Sequence, residues 1–247
     1  MSSLRIGALF SFTLTLSLTS QSVVCGDPAK PCNPDICKLP DCFCSGTEIP
    51  DNLPASSIPQ MVFISFDGAF NNDLYDPDDL KDFFTDYRLK TLKNPNGCNI
   101  SVTFFLSHFY TNYCAVQDLY SQRHEIAVNL ISRRLPKSWW ANATVKEQTQ
   151  EIGGMRTLLQ KMAHVKAEDV KGYRAPYMQV GGNTEFKVLK DLGFLYESSM
   201  PTRNFIDQPL WPYTLDYRST QGCEIQPCPT GMGSVVLEAR EICTKLT

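Results

Sequence analysis

The sequence predicts an α/β fold in which mainly parallel strands form a sheet or a barrel. The first observation is an alternation of strand and helix signals, which begins near Pro59 and continues to about residue 199. Repeated strand–helix units favour parallel pairing, because a parallel strand needs a long crossover connection that a helix supplies. The second observation is the length: 247 residues accommodate one globular domain of about 200 residues with a sizeable core.

Each predicted strand is a short run rich in apolar and β-branched residues. In chain order the strands are residues 61–66, 101–106, 124–131, a strand within 170–177, and 194–199. The first run is apolar throughout, and we expect it to be a buried strand. It delivers one carboxylate, Asp67, at its carboxyl end.

Three helices are predicted between these strands, at residues 115–123, 145–164 and 186–193. The long central helix begins at Val145, and either Asn142 or Thr144 is its N-cap. The last helix stops at Gly193, since glycine is the usual residue just past a helix end. In parallel α/β folds, ligands sit at the carboxyl ends of the strands. Asp67, Asn129 and Arg174 all fall near such ends, so we expect them to converge.

The first 25 residues have the features of a secretory signal. Arg5 precedes the apolar run IGALFSFTLTLSLT, and small residues follow up to Cys25. The run is too short for a comfortable membrane span. We expect cleavage after Cys25, with cleavage near Ser20 as the alternative, and a secreted chain with no membrane anchor.

Cysteine content agrees with secretion. The chain has ten cysteines, and residues 26–58 are rich in Pro, Cys, Asp and Ser without periodicity. In an oxidising compartment this pattern predicts a disulfide-stapled segment; a zinc knuckle at Cys32, Cys37, Cys42 and Cys44 is the alternative. Loss of Cys25 leaves an odd cysteine, so we expect a monomer with one free thiol or an intermolecular disulfide.

Two further features concern the surface. The triplets at Asn99-Ile-Ser and Asn142-Ala-Thr are acceptors for N-glycosylation. A chain with a formal charge of −3 and no basic cluster has little electrostatic attraction for nucleic acid or an anionic membrane. We therefore expect neither as a partner.

Three blocks in order carry a resemblance to a known family. They are SFDG (65–68), HEIAVNLISR (124–133) and RAPY (174–177), joined by CKLPDCFCSGTEIP, SHFYTNYCAVQDL, QVGGN and WPYTLDYR. From about Cys32 to about Pro229 the chain closely resembles the arthropod chitin deacetylases of the polysaccharide deacetylase (NodB-homology) family. The resemblance implies a distorted (β/α) barrel, with residues 59–229 as a partial domain and 230–247 as a divergent tail.

The family removes acetyl groups from N-acetylglucosamine units, and the resemblance assigns roles to three residues. Asp67 matches the general base, and Arg174 matches the arginine that orients it. Tyr177 matches the residue whose backbone N–H forms part of the oxyanion hole. In a chain without the family's metal site these three are vestigial catalytic residues, kept either for polysaccharide contact or as structural pins of the strand ends.

The departures from the family fall on its metal ligands. Gly68, Asn129 and Arg133 stand where the family has a metal-binding aspartate and two histidines. Family members use a divalent metal, usually zinc, and a catalytic zinc needs three protein ligands plus one open position. We therefore predict no metal cofactor here, and an Asp67–Arg133 ion pair at the old metal position is one hypothesis.

The tail and the histidines add a second difference. The family has a late block with a histidine that acts as general acid, whereas residues 230–247 contain no histidine and are expected to form one short helix or strand. We expect a barrel open on one side, and Cys223 and Cys228 without their family partners. His124 opens a strand and is expected to be a packed structural residue, and His108 and His164 are expected to be structural or surface residues.

Aromatic residues suggest a sugar platform, because flat rings suit the apolar face of a pyranose. The candidates are Trp139, Trp140, Trp211 and Tyr213, with Tyr177 as a further substrate contact. Core packing is the alternative for each tryptophan. The Trp139–Trp140 pair is expected in a polar loop between a strand and a helix.

Three functions remain open at this stage. The first is a secreted protein that binds chitin or chitooligosaccharide without hydrolysis. The second is an active deacetylase with a modified site. The third is an inactive truncated isoform, a truncation product that does not fold.

Overall fold

A computed structural model describes residues 29–58, 60–71, 92–230 and the backbone of 236–237. The predicted signal (1–25) and most of the predicted tail (230–247) lie outside these residues. No helix in the described ranges is both long enough and apolar enough to cross a lipid bilayer.

The described strands and helices alternate in the order expected of an α/β fold. The strands are β1 (Ser65–Gly68), β2 (Thr103–Ser107), β3 (Glu125–Leu130), β4 (Gly172–Tyr173), β5 (Tyr196–Glu197), β6 (Tyr213–Thr214) and β7 (Val236–Leu237). The helices are α1 (Tyr113–Ser121), α2 (Ser138–Asn142), α3 (Val145–Ala163) and α4 (Gly182–Asp191).

One sheet holds all seven strands, in the order β1-β2-β3-β4-β5-β7-β6. Strands β1 to β5 pair in parallel, β7 is parallel to β5, and β6 runs antiparallel to β7. The predicted α/β fold with parallel strands is therefore confirmed. As far as the structure describes it, the sheet is open, with β1 and β6 at its two ends.

This topology creates one functional edge, which we call the carboxyl edge. Strands β1 to β5 all end there, because they are parallel. The antiparallel strand β6 begins at the same edge, so the residues just before it lie there too. In such folds this is the edge where ligands bind.

Local sequence explains where the helices start and stop. The side-chain oxygen of Thr144 accepts a hydrogen bond from the Glu147 backbone N–H, and the Glu147 carboxylate accepts one from the Thr144 N–H. This capping box satisfies two N–H groups at the helix end. Thr144, rather than Asn142, is thus the N-cap of α3, and His164 ends the helix in a left-handed conformation. Asn112 caps α1 in a similar way.

The core lies on both faces of the sheet. The larger apolar cluster includes Leu119 of α1, Met155 and Leu159 of α3, and Phe104 and Val128 of the strands. On the opposite face, Phe105, Ala127 and Tyr196 pack together. The Tyr196 hydroxyl there donates to Glu125 at 2.7 Å, and Thr103 donates to the same carboxylate at 2.8 Å. Glu125 is thus satisfied within the sheet.

The first predicted strand needs a correction. The strand is Ser65–Gly68, and residues 61–64 precede it in an irregular conformation. Val62 is 74% exposed, and Met61, Phe63, Ile64 and Phe66 are also exposed. The expectation of a buried strand is wrong because β1 is an end strand of the described sheet. Apolar composition alone does not reveal that position.

The disulfides resolve several alternatives. Cys32 pairs with Cys44 and Cys37 pairs with Cys42, so these thiols form bridges rather than the alternative zinc knuckle. Cys223 pairs with Cys228, which corrects the expectation that both lack partners. Among the described cysteines, Cys114 is the free one, and it is exposed.

Candidate functional site at the carboxyl edge

The site is centred on Arg174, which directly follows β4. Its Nε donates to the Ser198 carbonyl at 2.8 Å and its Nη2 donates to the Ser198 hydroxyl at 2.9 Å. The guanidinium also lies 4.2 Å from the centre of the Phe105 ring. These contacts fix the plane of the guanidinium, and Nη1 is left to face Asp67.

Asp67 lies near the carboxyl end of β1 and forms an ion pair with Arg174. The Nη1–Oδ1 distance is 3.3 Å. The Asp67 side chain is 56% exposed, whereas that of Arg174 is 15% exposed. A mostly buried cation, held by Ser198, thus orients a carboxylate that remains open to a ligand. Such a carboxylate can accept hydrogen bonds from hydroxyl or amide groups.

Asn129 joins this group from the end of β3. Its side chain is buried, and Nδ2 donates to the Arg174 backbone carbonyl at 2.9 Å. The Asn129 amide therefore ties β3 to the segment that carries Arg174. Asp67, Asn129 and Arg174 lie together at the carboxyl edge. Their positions near predicted strand ends had led us to expect this.

Arg133 does not enter this group. Its side chain is exposed, and within the described residues it forms no ion pair at 4.0 Å or less. The hypothesis of an Asp67–Arg133 ion pair is wrong, because Asp67 pairs with Arg174. The preceding loop is held elsewhere: Glu151 of α3 accepts hydrogen bonds from the backbone N–H groups of Ile131 and Ser132.

Gly68 has a backbone conformation that other residues rarely adopt. Its φ is +124°, while a Cβ added at this position would meet no heavy atom within 4 Å. Space is therefore not the obstacle to a side chain here; the backbone is. Gly68 supplies no ligand atom, the Asn129 amide is engaged, and Arg133 is cationic. These three positions do not fit the ligand set of a catalytic zinc ion.

We expect Gly68→Asp to lower the free energy of unfolding by about 1–2 kcal/mol, because any Cβ disfavours this φ. Gly68→Ala should cost a similar amount, since the cause is the backbone and not the carboxylate. Gly46→Ala is the matched control, as its φ is not in the left-handed range and its nearest contact is 4.0 Å away. Urea unfolding measures all three. A Gly68→Asp variant as stable as the wild type would contradict this prediction and show that the backbone at residue 68 readily adopts another conformation.

A cleft of about 630 Å³ lies next to Arg174. Trp211 lines one wall and Phe63 lines another, and methionines 61, 178 and 200 add soft apolar surface. Trp211 is half-buried, and its backbone N–H donates to the Gly46 carbonyl at 3.1 Å. The Cys-rich segment therefore helps to position this residue. Tyr213 also reaches the cleft, although it is buried.

The two adjacent tryptophans differ from the sequence-based expectation. They lie in helix α2, not in a loop, and their rings meet edge to face at 4.8 Å. Trp140 is 3% exposed, and its indole N–H donates to the Arg134 carbonyl at 3.2 Å. Its assignment to a sugar platform is corrected, since its ring is part of the core. Trp139 is half-buried, and the Arg134 guanidinium lies 4.5 Å from its ring centre.

Tyr177 and the histidines occupy distinct environments. Tyr177 follows Arg174 closely, is 43% exposed and has a φ of 57°. His124 is buried, and its Nδ1 accepts a hydrogen bond from the Val102 N–H at 3.3 Å. His108 bonds the Tyr113 hydroxyl at 2.9 Å. His164 is the exposed C-cap of α3.

Sequence reasoning missed the buried carboxyls behind the site. Glu185 of α4 and Glu197 of β5 are both almost fully buried. Burial raises the pKa of Glu197 to about 7 and raises that of Glu185 well above its ordinary value, with the neighbouring Glu197 charge as a further cause. The nearby polar groups of Ser198 and Ser199 partly offset this increase in the pKa of Glu197, although neither carboxyl oxygen of Glu197 forms a hydrogen bond among the described residues. Their acidity could not be read from residue types alone.

Sequence comparison finds similar proteins in the silkworm. The chain is 44% identical over 209 residues to chitin deacetylase 1 of Bombyx mori, which covers 82% of this chain and 37% of that protein. It is 41% identical over 202 residues to chitin deacetylase 8 of Bombyx mori, covering 82% of this chain and 51% of that protein. The chain thus spans between about a third and about half of the length of these relatives.

Two further comparisons add little. No family model matches the chain. A solved structure of a provisionally assigned polysaccharide deacetylase from Mycobacterium smegmatis aligns with a TM-score of 0.40 and 23% identity, over 56% of this chain and 40% of that one.

Proposed function

The matched region of this chain belongs to the chitin deacetylase-like polysaccharide deacetylases, and from this premise we propose that it binds chitin or chitooligosaccharides without metal-dependent hydrolysis. The observation that carries the proposal is that this site has the family's base and its orienting arginine but lacks the family's metal ligands. Ser198 holds the Arg174 guanidinium, and the Asp67 carboxylate that pairs with it is open to a ligand. The three positions expected to bind the metal lack a suitable set of ligands.

The loss of the metal ligands impairs amide hydrolysis more than it impairs sugar binding. Without a metal, the attacking water keeps a pKa of about 15.7 instead of about 7, so hydroxide is scarce. Asp67 as a general base would contribute only about 10²–10⁴ in rate, and amide hydrolysis needs far more. Binding has no such requirement. A hydrogen-bonding carboxylate and an apolar cleft with Trp211 are sufficient for a sugar ring.

The expected setting is an extracellular chitinous matrix. Three disulfides among the described residues support an oxidising compartment. Asn99 and Asn142, the two glycosylation acceptors, are both exposed. We propose that the chain acts there as a secreted chitin-binding protein.

Retention on colloidal chitin tests the proposal. We expect the secreted chain to bind. We expect Trp211→Ala to weaken binding about fivefold, because the variant lacks the ring that stacks on the sugar. Ile36→Ala is the matched control: Ile36 is exposed on the Cys-rich segment and does not line the cleft. A wild-type chain that fails to bind chitin would overturn the proposal. Unchanged binding of Trp211→Ala would remove Trp211 from it.

Residual deacetylase activity is the second candidate, and one observation favours it. Asp67 and Arg174 are arranged as a base and the group that orients it. Zinc analysis of the purified chain and acetate release from chitohexaose decide between the two. Stoichiometric zinc together with acetate release that Asp67→Asn abolishes would establish the enzyme. Cooperative thermal unfolding of the same preparation would exclude the non-folding truncation product.

A further inference from the structure

Three bulky residues at the carboxyl edge have an unusual backbone conformation. Among the described residues, seven non-glycine residues have positive φ: Asp51, Asn52, Tyr110, Arg123, His164, Tyr177 and Met178. Arg123 and His164 follow helix ends, where such values are ordinary. Asp51 and Asn52 are residue types that tolerate them. The remaining three are bulky residues, and all three lie in loops that follow β2 or β4.

Tyr110 combines a strained backbone with an exposed ring. Its φ is 68°, and 82% of the residue is exposed. Burial of the ring therefore does not explain the strain. Tyr177 shows the same combination, with a φ of 57° and 43% exposure. Bulky residues in this conformation occur where the surrounding structure holds them, and such positions are frequently functional.

The loop around Tyr110 is firmly held on both sides. The Thr111 hydroxyl donates to the Ser107 carbonyl at 2.5 Å and accepts from the Phe70 N–H at 3.2 Å. The Asn112 N–H donates to the Phe70 carbonyl at 2.7 Å, and the His108 N–H donates to the Leu130 carbonyl at 3.0 Å. These bonds join the loop to the ends of β1 and β3. Tyr110 is consequently presented on a rigid base.

The two loops leave the sheet on either side of β3. Strand β3 lies between β2 and β4 in the sheet. Neighbouring strands are about 4.8 Å apart, so the ends of β2 and β4 lie about 10 Å apart. A ligand that bridges the two loops must therefore be extended and longer than one sugar ring. Phe109, which is also exposed, enlarges the surface beside Tyr110.

The charges of the described residues at this edge favour a neutral ligand. Asp67 and Arg174 pair with each other, and Arg133 is an exposed cation without an ion pair among the described residues. A chain of N-acetylated sugars carries no charge, whereas a deacetylated chain carries ammonium groups that Arg133 repels. The apolar face of each sugar ring can stack on a tyrosine.

We propose that Tyr110 is a stacking position for an extended, neutral N-acetylated sugar chain that crosses the carboxyl edge over β3 towards Tyr177, the contact that the family resemblance implies. The inference rests on the proposed chitin binding and adds Tyr110 to its contact residues. The hydrogen bonds of the loop hold the backbone of Tyr110 in place before the ligand arrives, which lowers the ordering cost of binding.

Soluble oligosaccharides and three variants at Tyr110 test the proposal. We expect Tyr110→Ala to weaken chitohexaose binding about tenfold in calorimetry, and Tyr110→Phe to retain wild-type affinity, since the ring is the contact. Tyr110→Asn should lose binding equally while keeping or raising the melting temperature, because Asn tolerates positive φ. A merely structural Tyr110 would instead lower the melting temperature of this variant. Met162→Ala, at an exposed residue of α3, is the matched control.

The outcomes separate this inference from the proposed function. Binding of chitohexaose by the wild type, with Tyr110→Ala within twofold of it, overturns the stacking position but leaves chitin binding intact. Failure of the wild type to bind either chitohexaose or colloidal chitin overturns both. Equal affinity for chitohexaose and fully deacetylated chitosan hexamer contradicts the charge argument. A clear preference for chitohexaose supports it.

Discussion

Raising the pH from about 4.5 to about 8 is expected to lower the free energy of unfolding by about 3 kcal/mol through one buried carboxyl group. The group is Glu197, whose pKa burial raises from 4.5 to about 7. The folded state therefore binds a proton that the unfolded state releases over this range. Stability from the protonated form is fully present below about pH 4.5 and is lost as the pH rises through about 7.

The groups around Glu197 change its pKa in both directions: some add to the effect of burial and others oppose it. Glu185 of α4 also has a raised pKa, and the two carboxyls disfavour ionisation of each other. The Tyr173 hydroxyl is buried nearby, and its raised pKa keeps it neutral. The positive charge of Arg174 lowers the pKa of Glu197 and so limits the loss. Burial is the largest cause, so the net effect remains a loss of stability at high pH.

The matched variant for this measurement is Glu197→Gln, which has nearly the same shape and cannot ionise. Denaturant unfolding at pH 5 and pH 8 should show the variant gaining about 3 kcal/mol relative to the wild type between the two values. Glu168→Gln, at an exposed carboxyl, should follow the wild type at both. A difference between Glu197→Gln and wild type that does not change with pH would contradict the prediction.

Arg174→Ala is expected to lower the free energy of unfolding by about 3 kcal/mol at pH 6. Two hydrogen bonds to Ser198, each charge-assisted, are lost together with the contact with the Phe105 ring. The ion pair with the half-exposed Asp67 contributes little to this figure, because solvent screens it. Arg174→Lys should recover less than half of the loss, since an ammonium cannot make the forked contact.

Thermal and urea unfolding of these variants give the measurement. Arg203→Ala is the control: its side chain is 76% exposed and pairs with Glu224 on the surface, so we expect a change within about 0.5 kcal/mol. An Arg174→Ala variant within about 1 kcal/mol of the wild type would show that Ser198 and Asp67 find other partners.

Sequence reasoning succeeded where local chemistry decides the structure. Thr144 and Glu147 form a capping box because their side chains reach each other's backbone within one helical turn. The strand ends at Asp67, Asn129 and Arg174 were located from apolar runs, and parallel topology then placed the three residues together. Neither conclusion required knowledge of distant packing.

It failed where exposure depends on the whole fold. Residues 61–64 and Trp140 are both apolar, yet the first are exposed and the second is buried. Composition cannot distinguish the end of a sheet from its middle, or an inward from an outward helix face. One hypothesis paired Arg133 with Asp67. The partner is instead Arg174, whose guanidinium is held there by Ser198, which directly follows β5 and is distant in sequence from Asp67.

The sequence by itself determined the α/β architecture, the family resemblance and the absence of a ligand set at Gly68, Asn129 and Arg133, because these depend on residue identity and order. Only the tertiary structure decided which partner Asp67 takes, which tryptophan is available to a ligand, and that Tyr110 is held rigidly at the carboxyl edge. The reason is physical. Burial, ion pairing and backbone strain are properties of groups brought together across the chain, and their energies appear only after the chain has folded.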